Sequence, residues 1–270
     1  MSTPAELKLT GVRKVFFPGT ANEVLALQGV DLDVPAGQFV TIIGSNGSGK
    51  STLLNSVAGT FSLTAGTVEL DGRDVTRQAE HVRSRSIGRV FQDPRAGTAP
   101  SMTIEENLAM SLLRSRRSGL RLGVTNRRRE IMRQQLSRLG MGLETRLRAG
   151  VSKLSGGQRQ AMSLLMATVA EPSLLLLDEH TAALDPKVAA TIMELTGEIV
   201  AERQLTTLMV THNMELALRY GDRLVMMHAG RVVLDLPQEQ KCCLEVGDLI
   251  QKFHEVAGEA FAVDRMLLEP

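Results

Sequence analysis

An octapeptide near the N-terminus constrains the fold of this chain more than any other feature. It reads Gly44-Ser45-Asn46-Gly47-Ser48-Gly49-Lys50-Ser51 and fits the pattern G-x-x-x-x-G-K-S without adjustment. The β-rich residues 38–43 precede it, and residues 52–59, which favour a helix that ends at a glycine, follow it. A glycine loop between a buried strand and a helix predicts an α/β protein that binds phosphate groups.

The chemistry of this loop comes from its backbone and from two side chains. Glycines let backbone N–H groups turn inward around anionic phosphates, and the helix that follows adds a favourable dipole. Lys50 can reach the β- and γ-phosphates of a nucleotide, and the Ser51 hydroxyl can bind Mg²⁺. The predicted nucleotide-binding residues are Gly44, Ser45, Asn46, Gly47, Ser48, Gly49, Lys50, Ser51 and Thr52.

An acidic pair, Asp178-Glu179, follows a second predicted strand. Residues 174–177 are all leucine, which is typical of a strand covered on both faces. In phosphate-loop NTPases a carboxylate at such a strand end holds Mg²⁺, so Asp178 is the predicted metal residue. Glu179 is then placed to orient or deprotonate an attacking water. The pair therefore predicts hydrolysis of the bound nucleotide.

A glycine-rich pentapeptide, Leu154-Ser155-Gly156-Gly157-Gln158, lies between the phosphate loop and the acidic pair. With this segment, the chain resembles the ATP-binding subunit of an ATP-binding cassette (ABC) transporter. The resemblance extends over roughly residues 7–235, and the motifs occur in the family's order. The pentapeptide matches the family signature in full.

The resemblance implies roles for residues that single motifs do not identify. Gln92 resembles the Q-loop glutamine, which contacts Mg²⁺ and the attacking water, and His212 resembles the switch histidine, which contacts the γ-phosphate. Asp185 lies in a segment that resembles the D-loop at the dimer interface. Phe16 resembles the aromatic residue that stacks on adenine, and Phe17 is an adjacent candidate.

The resemblance also implies a fold. It is an α/β, phosphate-loop (P-loop) NTPase cassette with a RecA-like core, an N-terminal antiparallel β-subdomain and a helical subdomain. The ATPase domain is expected at residues 7–235, with the helical subdomain at about 93–165. Residues 236–270 are expected to form a C-terminal helical tail.

An assembly is implied as well. In the family, two cassettes form a head-to-tail homodimer when ATP is bound, and Ser155, Gly156, Gly157 and Gln158 of each chain contact the ATP held by the other. A transmembrane permease and a substrate-binding protein complete an importer. The resemblance therefore implies ATP and Mg²⁺ as ligands and a peripheral location on the cytoplasmic face of the inner membrane.

Two residues depart from the family pattern. His180 stands where proline more often follows the glutamate, and Ala182 stands where the D-loop more often begins with serine. We expect His180 to be a solvated side chain. Residues 179–186 and short segments within 93–101 resemble a subgroup of bacterial importers assigned to tryptophan, tyrosine or related small solutes.

Composition leaves some function classes open and argues against others. The 270 residues carry 31 basic and 30 acidic side chains, so global charge indicates neither nucleic acid nor a membrane as partner. No apolar run approaches the roughly 20 residues that a membrane helix needs. Three alternatives remain open: a soluble ABC ATPase, such as one serving iron–sulfur cluster assembly, the cassette of an exporter, and a regulator with little turnover.

An arginine-rich segment permits two interpretations. It is either a solvated loop and helix face balanced by acids such as Glu130 and Glu144, or a patch for lipid headgroups. The segment lacks aromatic residues, so it offers no platform for nucleic-acid bases, and no nucleic-acid partner is expected. Its arginines are Arg114, Arg116, Arg117, Arg121, Arg127, Arg128, Arg129, Arg133 and Arg138.

Overall fold

The computed structural model describes residues 3–114 and 123–257. The strands in chain order are β1 Leu7–Phe16, β2 Val24–Val34, β3 Phe39–Ile43, β4 Ala65–Leu70, β5 Arg73–Asp74, β6 Ile87–Val90, β7 Leu174–Asp178, β8 Thr206–Val210, β9 Arg223–His228 and β10 Arg231–Pro237. The helices are α1 Lys50–Ala58, α2 Glu80–Arg83, α3 Ile104–Leu113, α4 Asn126–Ser137, α5 Gly156–Thr168, α6 Pro186–Arg203, α7 Met214–Arg219, α8 Gln238–Lys241 and α9 Val246–Ala257. Short 3₁₀ turns occupy Leu143–Thr145 and Val151–Lys153.

The chain divides into two compact units. Residues 4–83 and 204–257 belong to one, which we call the phosphate-loop unit, and residues 84–203 belong to the other, the signature unit.

An antiparallel sheet in the phosphate-loop unit has the strand order β2-β1-β4-β5. The hairpin between β4 and β5 turns at Asp71 and Gly72, which have φ values of 55° and 68°. Positive φ at both central residues is the geometry of a type I′ turn, which Asp-Gly favours. The Asp-Gly dipeptide therefore accounts for the hairpin.

Parallel strands position the phosphate loop in the same unit. The fully buried β3 pairs in parallel with β8 on one side and β9 on the other. The loop leaves the end of β3 and enters α1, which ends at Gly59 in the left-handed conformation with its N–H donating to Asn55 O. The predicted order of strand, loop and glycine-terminated helix is therefore confirmed.

The C-terminal helix packs against the core of the phosphate-loop unit. Leu249 and Phe253 of α9 lie in one apolar cluster with Ile43, Met214 and Met226. The remaining residues of the expected tail, 258–270, lie outside the described residues. The domain bounds inferred from the resemblance stay predictions.

The signature unit contains the parallel pair β6 and β7 and the helices α3 to α6. Helix α5 approaches β6 closely at Gly88. A Cβ added to this glycine would lie only 2.5 Å from Ala167 O. Helix α3 begins with a capping box in which Thr103 N donates to Glu106 Oε2 at 2.7 Å and Glu106 N donates to Thr103 Oγ1 at 3.3 Å. The spacing of a threonine and a glutamate three residues apart is typical of such a box.

Acidic partners balance several arginines of the arginine-rich segment. Arg129 donates to both carboxylate oxygens of Glu105, at 2.7 and 3.3 Å. Arg133 pairs with Glu130, and Arg138 pairs with Glu202. These pairs support the interpretation of an ion-paired helix face. Arg116, Arg117 and Arg121 lie outside the described residues, and the lipid interpretation stays untested.

None of the helices within the described parts of the chain is both long and apolar enough to span a bilayer.

Candidate functional site

The conformation of the phosphate loop depends on glycine at two positions. Gly44 has φ 151°, and a Cβ there would lie 2.2 Å from Met227 O. Gly49 has φ 101°, and a Cβ there would lie 2.7 Å from Ala26 O. Glycine adopts both conformations far more readily than other residues do. In both cases the added Cβ would meet a backbone oxygen, which is less free to move than the end of a side chain. The loop is therefore closed tightly against its own unit.

Lys50 folds back over this loop. Its Nζ donates to Gly44 O at 2.6 Å and to Ser45 O at 2.9 Å, and the side chain is only 6% exposed. Helix α1 begins at Lys50 without a side-chain cap at Gly49. Among the described residues, the buried Ser48 Oγ has no hydrogen-bond partner. A buried ammonium, a helix start without a side-chain cap and an unsatisfied hydroxyl fit a polyphosphate.

His212 leaves the sheet at the same edge as the phosphate loop. It follows β8, whose Val210 lies beside Ile42 of β3, and Thr211 N donates to Ile42 O at 3.1 Å. His212 is exposed and precedes Asn213, which caps α7. The parallel register thus directs both segments toward one edge.

The two aromatic candidates differ in their surroundings. The Phe16 ring packs edge-on against Phe61, with centroids 5.3 Å apart, and Lys14 Nζ lies 4.8 Å from the centre of the Phe16 ring. Phe17 is 66% exposed and has φ 51°. Phe16 therefore belongs to a fixed aromatic and cationic cluster, whereas Phe17 presents its ring to solvent.

Gln92 and Glu179 meet in the signature unit. Strands β6 and β7 run in parallel with Val90 beside Leu177, so the residues that follow each strand emerge at one edge. Gln92 Nε2 donates to Glu179 Oε2 at 3.2 Å. Because the amide nitrogen is engaged, the amide oxygen of Gln92 remains suited to a cation or a water proton.

Asp178 ends β7 beside an arginine that the sequence analysis did not identify. Arg89 Nη2 lies 3.6 Å from Asp178 Oδ2, and its guanidinium carbon lies 4.5 Å from the centre of the Phe91 ring. The parallel pairing of β6 with β7 brings these residues together, although they are far apart in the chain. No local pattern could have signalled this pair.

The predicted metal residues supply oxygen donors, which Mg²⁺ prefers. They are a hydroxyl at Ser51, a carboxylate at Asp178 and an amide oxygen at Gln92. In the described ranges there is no group of three His, Cys, Asp or Glu side chains that could hold a metal by itself. Oxygen donors of these types suit Mg²⁺, which proteins usually hold through one or two carboxylates together with nucleotide phosphates.

The expectation of a solvated His180 is wrong. The side chain is 2% exposed, and its Nε2 lies 3.2 Å from Thr196 Oγ1 on α6. Burial lowers the pKa of His180 to about 4, so the ring is neutral at physiological pH and places no charge beside Glu179. The buried position depends on a threonine in the next helix, which the local sequence around His180 does not reveal.

The signature segment caps its own helix. Ser155 and Gln158 form a capping box at the start of α5, with Ser155 Oγ accepting from Gln158 N at 3.2 Å. Ser155 and Gly156 are exposed, whereas Gly157 faces α6, where a Cβ would lie 2.4 Å from Val188 Cγ1. The second glycine is therefore needed for helix packing.

Two further contacts organise the segments around Gln92 and Asp185. The buried Gln160 on α5 donates through Nε2 to Phe91 O at 3.2 Å, which ties α5 to the residue before Gln92. Asp185 Oδ1 accepts from Val188 N at 3.1 Å in the first turn of α6. The sequence analysis gave Gln160 no role, because a glutamine within a helix carries no distinguishing pattern.

Comparisons with known proteins identify the family. A family model described as ABC transporter matches residues 27–182. A tyrosine transport ATP-binding protein of Clostridioides difficile is 46% identical over 226 residues, which cover 84% of this chain and 90% of that protein. A phosphonates import ATP-binding protein of Frankia casuarinae is 38% identical over 234 residues. These residues cover 85% of this chain and 89% of that protein.

A solved structure shows the same fold. It is a dimeric ATP-binding cassette in a post-hydrolysis state bound to ADP and Pi. The match has a TM-score of 0.75 at 30% identity and covers 86% of this chain and 98% of the cassette. The predicted α/β cassette fold is confirmed.

Proposed function

The chain belongs to the ABC transporter family, as an ATP-binding subunit with ATPase activity, and we propose that it drives a bacterial importer of an amino acid or a related small solute. The observation that carries the importer proposal is the 46% identity to a tyrosine transport ATP-binding protein across 84% of this chain. The phosphonate import relative is consistent with the same direction of transport.

The proposal assigns the phosphate loop to ATP. Backbone N–H groups of residues 44–52 and the Lys50 ammonium bind the β- and γ-phosphates, and Phe16 stacks on adenine. Ser51, Gln92 and Asp178 hold Mg²⁺, which would neutralise charge on the phosphates. The glycine geometry and the position of Lys50 on the loop carbonyls support this assignment.

Hydrolysis is assigned to three side chains. Glu179 accepts a proton from the attacking water, Gln92 orients that water, and His212 contacts the γ-phosphate. The hydrogen bond between Gln92 and Glu179 supports a shared role for the first two residues.

The signature loop is assigned to a second copy of the chain. Ser155, Gly156, Gly157 and Gln158 contact the ATP held by the partner, and Asp185 lies at the dimer interface. The exposure of Ser155 and Gly156 at a helix N-terminus supports this role, as does the dimeric state of the solved relative. Closure around ATP and reopening after hydrolysis would then drive transport.

Transport requires a pathway through the membrane, which other subunits would supply. We assign a transmembrane permease and a substrate-binding protein to the full importer, with this subunit peripheral on the cytoplasmic face of the inner membrane. The names of the relatives, both of which are ATP-binding subunits of transport systems, support this assembly.

The first test replaces the proposed base. Glu179→Gln should bind ATP, lose turnover and accumulate as an ATP-bound dimer, measured by size-exclusion chromatography and phosphate release. Glu171→Gln is the matched control, because Glu171 lies just before the same strand and also has positive φ, at 52° against 44° for Glu179. Normal turnover by the Glu179 variant would remove it from the role of base.

The second test addresses the cargo. The chain is reconstituted in liposomes with its permease and binding protein, and ATP-driven uptake of labelled tyrosine is compared with uptake of an unrelated sugar. Uptake that depends on ATP and stops with Glu179→Gln supports an amino-acid importer. ATP-driven efflux, or assembly without any permease, would contradict it.

A further inference from the structure

The residue after the proposed base occupies an unusual position. Glu179 has φ 44°, a left-handed backbone conformation that a residue with a Cβ adopts only at a cost. Such strain persists when neighbouring contacts over-determine the backbone. The next residue, His180, is almost completely buried, so its ring is a fixed point immediately beyond the strained residue.

The hydrogen bonds around His180 define which ring nitrogen carries the proton. Thr196 Oγ1 donates its hydrogen to Ile192 O, one turn back on α6, at 2.7 Å. That hydroxyl can therefore only accept from His180 Nε2, which lies 3.2 Å away. The ring must carry its proton on Nε2, and it is anchored to α6 as a donor.

The segment between β7 and α6, residues 179–185, makes two further hydrogen bonds, one within itself and one to the first turn of α6. Ala182 N donates to Glu179 O at 3.0 Å, and Asp185 Oδ1 accepts from Val188 N at 3.1 Å. His180 and Asp185 therefore attach both ends of the segment between β7 and α6 to that helix. The Glu179 carboxylate, at the near end of this segment, accepts the hydrogen bond from Gln92.

We propose that His180 is a positioning residue for ATP hydrolysis, which holds the backbone of Glu179 in its left-handed conformation by donating a hydrogen bond to Thr196. The proposal rests on the function proposed for Glu179. The ring itself does not touch the nucleotide.

The test compares variants that remove or retain the donor. His180→Leu should lower kcat by at least about tenfold, since small displacements of a catalytic group have effects of this size or larger. KM for ATP and nucleotide affinity should stay near the wild-type values. His180→Gln keeps an N–H donor at a similar reach and should retain most of the wild-type kcat.

Thr196→Val removes the acceptor with little change of shape and should reproduce the loss seen with His180→Leu. The double variant should be no slower than the slower single variant, because both changes break one interaction. Thr168→Val is the matched control. Thr168 is buried on α5 and donates to Leu164 O at 2.9 Å, so its loss removes an equivalent hydroxyl away from Glu179.

Thermal unfolding of every variant separates positioning from stability. The proposal is supported if kcat falls in His180→Leu and Thr196→Val but not in Thr168→Val at a comparable loss of melting temperature. It is overturned if His180→Leu turns over normally, or if His180→Gln is as slow as His180→Leu. If Glu179→Gln is inactive while His180→Leu is normal, this inference alone fails; if Glu179→Gln is active, the proposed base fails.

Discussion

The phosphate loop and the signature loop are both glycine-rich and both open a helix, yet their glycines act differently. Gly44 and Gly49 have positive φ and are closed in by backbone carbonyl oxygens, whereas Gly157 lies within α5, pressed against Val188. In the first loop glycine permits a conformation, and in the second it permits the close approach of two helices. The same residue type thus meets two physical requirements.

The two helix starts differ in a second way. Helix α1 begins without a side-chain cap and carries Lys50 over its loop, whereas α5 begins with the Ser155 capping box and has no lysine in its first turn. A loop with its own cation can hold phosphate by itself. Arg159 lies in the first turn of α5, but its guanidinium donates to the carbonyl oxygens of residues 151, 152 and 154. The role proposed for the signature loop in a dimer is to contribute to a phosphate that another loop already holds.

The largest effect is expected from Gly44→Ala. The added Cβ would lie 2.2 Å from Met227 O, so the loop must move and nucleotide affinity should fall by more than about a hundredfold, or roughly 3 kcal/mol. Gly47→Ala is the matched control, because Gly47 also has positive φ, at 76°, but nothing lies within 4 Å of its added Cβ. Titration with a fluorescent ATP analogue measures both. Equal losses would show that backbone strain alone governs the loop.

An intermediate effect is expected from Gly157→Ala. Its Cβ would lie 2.4 Å from Val188 Cγ1, so α5 and α6 should separate and hydrolysis should fall about tenfold, while nucleotide binding by the subunit stays unchanged. Adding Val188→Ala removes the obstructing methyl groups and should restore part of the activity. Phosphate release and analogue titration check this, with Val188→Ala alone as control. Loss of nucleotide binding in Gly157→Ala would contradict the distinction between the two loops.

The smallest effect is expected from removing one cap. Ser155→Ala and Thr103→Ala each delete the hydroxyl of a capping box, and each should lower the free energy of unfolding by about 1 kcal/mol. Only Ser155→Ala should also reduce hydrolysis, because Thr103 has no role in the proposed site. Urea denaturation and phosphate release measure the two quantities. A similar fall in hydrolysis for both variants would assign Ser155 a merely structural role.

Features that depend on neighbouring residues were predictable from the sequence, whereas contacts between residues far apart in the chain were not. The hairpin at Asp71-Gly72, the capping box at Thr103 and the helix end at Gly59 were all predictable, because each depends on residues within a few positions. His180 was predicted to be solvated and is buried, because its partner lies 16 residues away on α6. The contact between Gln160 and Phe91 spans 69 residues and had no local signal.

The motifs of the chain were enough to assign the class of protein and the candidate chemistry. Phosphate binding depends on glycines, a lysine and a hydroxyl within one octapeptide. Because these residues are neighbours in the sequence, they also lie close together in the folded chain. How the acidic pair is held depends instead on tertiary contacts. Arg89 beside Asp178, Gln92 against Glu179 and Thr196 beneath His180 come from other strands and helices, and packing alone brings such distant side chains within hydrogen-bond or ion-pair distance.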